Sequence, residues 1–130
     1  MKVKKEALLV LMALMLHGCV YLVAAGTGAA IGAGTYAYMK GELCIEYPYA
    51  YEAVWDATIK ALEDCGIAVF EKEKDALEGR IKGRRATGGE VVVKVQNKGK
   101  STLVRIRVGL FGDERVSMMI KENIDRRLAG

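Results

Sequence analysis

Two sets of residues in this 130-residue chain could do chemistry. The first is Cys19, whose thiol follows Leu16-His17-Gly18 just beyond a short apolar run. A thiol flanked by a small residue at the end of such a run is set up to be acylated, with cleavage before it exposing a lipidated amino terminus. The second is a set of cations on alternating positions: Arg80, Lys82 and Arg84, then Lys94, then Arg105 and Arg107. Side chains two apart on a strand share a face, so these six define a basic face suited to phosphate or carboxylate oxygens. The same cations would also discourage an exposed sheet from pairing with another chain.

Other chemistries find little support. The only histidine, His17, precedes the expected cleavage point, so the mature chain lacks the commonest general base at neutral pH. No metal-ligand spacing occurs, and the glycine-rich stretch is not followed by the residues of a nucleotide loop. We therefore expect no enzyme, no metal and no cofactor. The net charge of +4 also misleads, because Lys2, Lys4 and Lys5 against Glu6 contribute half of it. From residue 41 onward, 16 Lys and Arg face 15 Asp and Glu. The mature chain is near neutral, and with an export signal present no nucleic-acid partner is expected.

Residues 1–18 have the layout of an export signal, with a positive start and an apolar core from Ala7 to Leu16. That core is too short for a spanning helix, which needs about 20 apolar residues. Leu16, Gly18 and Cys19 resemble the lipobox of bacterial lipoprotein signal peptides, which implies a lipid on Cys19 and a membrane partner. Val20 stands where an Asp would favour inner-membrane retention in Gram-negative bacteria, so the implied location is the outer membrane with the domain facing the periplasm. Residues 19–40 then form a Gly/Ala-rich, almost uncharged tether. Gly28 and Gly32 make a G-x-x-x-G step within it, which would let helices approach closely if the stretch were helical. A glycine-zipper protein that inserts into membranes or forms homo-oligomers is therefore the alternative to a simple tether.

The elements that must position the cations follow from residue 41. Glu42 to Tyr47 reads as a strand ended by Pro48, and Val54, Trp55, Thr58, Ile59, Leu62 and Cys65 as one face of a helix stopped by Gly66. Four alternating segments follow, over 67–72, 77–85, 90–96 and 102–108, and a last helix runs from about Glu114 to Leu128 with Asp113 as its cap. The order β-α-β-β-β-β-α predicts an α+β domain over 41–130, an antiparallel sheet of about five strands with two helices packed on one face. Cys44 lies about 10 Å from the corner shared by the first strand and helix, and Cys65 about 22 Å from it. A disulfide needs Cα atoms within about 7 Å, so both cysteines are expected to be free, small and buried.

The segment from Arg105 to Glu114, with Tyr38 to Gly41, Trp55-Asp56-Ala57 and Glu73 to Leu77, is similar to a bacterial lipoprotein family known as a domain of unknown function. The resemblance spans nearly all the mature chain, and its sharpest part is Arg-Val-Gly-x-Phe-Gly-Asp at 107–113. It implies no catalysis and no transferable site. Where that family tends to place Ser as the first helix cap, this chain has Ala50. More distantly, the domain resembles the helix-grip domains of a lipoprotein of the outer-membrane barrel-assembly machinery, a likeness of fold alone. In the 107–113 segment, Gly109 and Gly112 are expected to turn the chain and Phe111 to cap the core. The reading is thus a lipid-anchored envelope domain whose partner is an envelope protein, a lipid headgroup or peptidoglycan.

Overall fold

A computed structural model describes residues 34–130. Cys19, Gly28 and Gly32 lie outside them. The described chain runs β1 (Thr35–Met39), β2 (Glu42–Tyr47), α1 (Tyr51–Asp64), β3 (Ile67–Lys74), β4 (Glu78–Arg85), β5 (Glu90–Asn97), β6 (Thr102–Val108) and α2 (Glu114–Ala129). All pairings are antiparallel, in the order β1-β2-β6-β5-β4-β3. The fold is the expected α+β sandwich, with six strands rather than about five.

The additional strand is β1, which falls in the stretch assigned by composition to the tether. Its register places Tyr36 opposite Ile45 and Tyr38 opposite Leu43, on the helix side of the sheet. The turn into β2 is only Lys40-Gly41, both at positive φ (54° and 79°), as a two-residue hairpin of right-handed twist demands. The sheet therefore begins at Thr35, before the boundary expected at Gly41.

Alternation decides which side is buried. Leu43, Ile45, Ile81, Val91, Val93, Val95, Val104 and Ile106 are fully buried, and they meet Val54, Ala61 and Leu62 of α1 and Ile120 and Ile124 of α2. Trp55 belongs to this core as its spacing predicted, and it packs over Gly79. Helix α2 starts where Asp113 accepts a hydrogen bond from the Val116 amide at 3.1 Å, a cap that contributes about 1 kcal/mol. Helix α1 lacks that support, since Ala50 makes no side-chain cap bond.

Three local expectations are corrected. Leu77 lies outside β4 and is 71% exposed, because the Asp75 carboxylate accepts from the Leu77 and Glu78 amides and turns the chain there. Phe111 does not cap the core, being 88% exposed. The cysteines are free but only half-buried, and on different elements: Cys44 is on the face away from the helices, whereas Cys65 ends α1 beside Asn123 of α2.

Candidate functional site on the open face

The sheet side opposite the helices carries every second residue of each strand. All six cations singled out from sequence lie on it, as cross-strand registers show. Arg105 of β6 stands opposite Lys94 of β5, which stands opposite Arg80 of β4. The next row toward the β1–β2 turn is Arg107, Val92 and Lys82, and beyond it Arg84 faces Glu90.

Spacing along β4 already puts Glu78 on the face of Arg80, Lys82 and Arg84, but sequence reasoning missed the acids that the other strands bring between the cations. Glu42 comes within 3.9 Å of the Arg107 guanidinium and 4.0 Å of that of Arg105, and Glu71 pairs with Lys82 at 3.2 Å. Glu73 stands opposite Arg80 and Glu78 opposite Gln96. The face is a cation row set between carboxylates, not a continuous basic stripe. Alternation along β3 carried the signal that Glu71 and Glu73 share a face, but the bulge after Val69 changes which side they take.

Within this mosaic, the row Arg80–Lys94–Arg105 is distinct. Among the described residues, neither Arg80 nor Lys94 has a carboxylate oxygen within 4.0 Å, and Arg105 has only the marginal contact to Glu42. Strands are about 4.8 Å apart, so the three side chains span about 10 Å. They line an open depression of about 560 Å³ together with Gln96, Glu73 and Glu78. Guanidinium groups at its two ends can each chelate a pair of oxygens, and the ammonium between them adds a point charge. Arg84 is engaged differently, with its guanidinium 5.5 Å from the centre of the half-exposed Phe70 ring.

Cys44 adjoins the row, opposite Arg105. Burial, and then the Glu42 charge, push its thiol pKa up, while Arg105 opposes the shift. The thiol form is favoured, which makes Cys44 a poor nucleophile.

A family model described as a protein of unknown function (DUF3568) matches residues 2–127. The chain belongs to that family. No curated protein matches the chain. The DUF3568 match takes in the segment before β1 as well as the six strands and both helices almost to the end of α2. As a DUF3568 member the protein acquires no assigned residue, so its function rests on the geometry of the face just described.

Proposed function

We propose that this DUF3568 protein is a lipoprotein acylated at Cys19, held at the outer membrane with its α+β domain in the periplasm. Its open sheet face takes anionic oxygens of an envelope component, and no reaction on a substrate is part of this role. The observation that carries the reading is the row Arg80–Lys94–Arg105, three cations abreast of which two are unpaired among the described residues. Unpaired exposed cations attract phosphate and carboxylate groups, an interaction that weakens as salt rises. Such groups occur on anionic lipid headgroups and on peptidoglycan, and separate binding assays distinguish the two.

The triple variant Arg80→Glu, Lys94→Glu, Arg105→Glu replaces exposed side chains, so it should melt close to wild type. Its retention on sacculi, or on vesicles rich in phosphatidylglycerol, should fall about tenfold at low salt if each reversed charge removes about 0.5 kcal/mol. Equal retention of the folded variant on both supports would reject the face as a binding surface. The anchor is tested separately by intact mass of the membrane fraction. Wild type should carry a diacyl or triacyl increment that Cys19→Ser lacks, and an unmodified wild-type mass would remove the anchor from the proposal.

A further inference from the structure

The two largest apolar exposures among the described residues, those of Leu110 and Phe111, adjoin each other at one end of the sheet, where Met39 is also exposed, whereas Leu77 stands by itself at the other end. Leu110 is 82% exposed, Phe111 88% and Met39 67%. Leu110 and Phe111 form the connection from β6 to α2, and Met39 ends β1 beside the turn into β2. An isolated exposed leucine is ordinary, but adjacent large apolar side chains held out together mark a contact surface.

The backbone beneath these side chains is fixed from several directions. Gly109 and Gly112 bracket the pair at φ of 71° and 85°, and the Gly109 amide donates to the Glu90 carbonyl at 2.8 Å. A Cβ on Gly41 would lie 2.5 Å from the Phe111 carbonyl oxygen, so the β1–β2 turn is pressed against this connection. The Arg107 guanidinium donates to the Lys40 carbonyl at 3.3 Å, and the Asp113 cap begins α2 immediately afterwards. The fold thus holds the backbone in place while the two side chains contribute almost nothing to its core.

We propose that Leu110 and Phe111, with Met39 beside them, insert into the interfacial region of a lipid bilayer and form a second membrane contact. This rests on the proposed acylation only in so far as the lipid on Cys19 brings a bilayer near. The size of the patch favours a bilayer over a protein. With an aromatic side chain covering 150–250 Å², the three residues offer on the order of 400 Å², against about 800 Å² per partner in a stable protein interface. Lys40 lies in the same turn, between Met39 and Gly41, where its ammonium can reach the headgroup phosphates while the apolar side chains go deeper. Thr35 lies at the other end of β1, and the 15 residues between it and Cys19 can reach about 50 Å when extended, against about 16 Å for the strand. An anchored domain can therefore bring this end to the membrane.

The test uses the full acylated chain in vesicles of phosphatidylethanolamine and phosphatidylglycerol, with and without brominated acyl chains. Phe111→Trp introduces a reporter at the site and Leu77→Trp one at the opposite end of the sheet. The buried Trp55 of wild type supplies the signal to subtract. The indole at position 111 should be quenched by brominated lipid by about twofold or more, and that at position 77 by acrylamide alone. A floating chain whose indole at 111 stays as open to acrylamide as the one at 77 overturns the membrane contact and leaves the anchor standing. A blue-shifted indole at 111 that brominated lipid does not quench would assign the patch to a protein contact and overturn the proposal. If wild type does not float with the vesicles, the anchor and the second contact fail together.

Discussion

Gly41→Ala is expected to lower the unfolding free energy by about 3 kcal/mol, combining a left-handed backbone penalty with a steric overlap that neither turn can relieve alone. Gly41 sits at φ 79°, and its added Cβ would meet the Phe111 carbonyl oxygen at 2.5 Å and the carbonyl carbon at 3.1 Å. Both are backbone atoms, so no rotamer change can make room. Gly99 supplies the comparison: it lies at φ 90° in the β5–β6 turn, and a Cβ there would have nothing within 4 Å. Gly99→Ala should therefore cost about 1 kcal/mol, the backbone penalty alone. For a domain of this size the two changes should lower Tm by about 15 °C and about 5 °C respectively. Gly112→Ala attacks the same contact from the other side, since its Cβ would run into the Gly41 backbone. The double variant Gly41→Ala, Gly112→Ala should then lose less than the two single losses added together. Urea unfolding of the four variants against wild type measures this, and equal losses for Gly41→Ala and Gly99→Ala would show that the approach of the two turns carries no stability.

That contact also shows why parts of the fold were hidden in the sequence. Both helices were legible because Val54, Leu62, Ile120 and Ile124 recur at helical spacing, and β4 to β6 because their apolar residues alternate. Strand β1 was not. Thr-Tyr-Ala-Tyr-Met contains no apolar–polar alternation, and its hairpin turn is Lys-Gly without the Asn or Asp that usually announces the type. Only pairing with β2 reveals that Tyr36 and Tyr38 share the helix side. The six cations could be assigned to one face from spacing within each strand. Their neighbours could not, because placing Glu42 near Arg107 or Glu71 near Lys82 requires the register between strands, which periodicity leaves open. Phe111 failed for a related reason. Its glycine neighbours indicate a sharp turn, but not the direction in which that turn presents its side chains.

Asp125→Ala should be the other costly change, at about 3–5 kcal/mol, because it strands a buried cation. The Asp125 carboxylate accepts from the Tyr47 hydroxyl and from the Lys121 ammonium, both at 2.8 Å. Tyr47 is fully buried and Lys121 only 5% exposed, with the Tyr36 ring 4.8 Å from the ammonium on another side. One carboxylate on α2 thereby ties the helix to β2, and its lysine partner carries the connection to β1. Removing Lys121 as well, in Lys121→Met with Asp125→Leu, should recover much of the loss, since an apolar pair leaves no uncompensated charge. Burial, then the Asp125 charge and the hydrogen bond to it, push the Tyr47 pKa well above its ordinary value of 10.0. Its contribution is therefore complete below pH 10. Above that pH the unfolded chain releases a proton that folded Tyr47 retains, so stability should fall with a slope approaching 1.4 kcal/mol per pH unit. Tyr47→Phe removes this contribution and leaves those of the other tyrosines, including the Tyr51 ring beside Lys74. Urea midpoints between pH 9 and 11 should decline more steeply in wild type than in Tyr47→Phe. Equal slopes would mean that the buried hydroxyl ionises as readily folded as unfolded, and that Asp125 does not hold it.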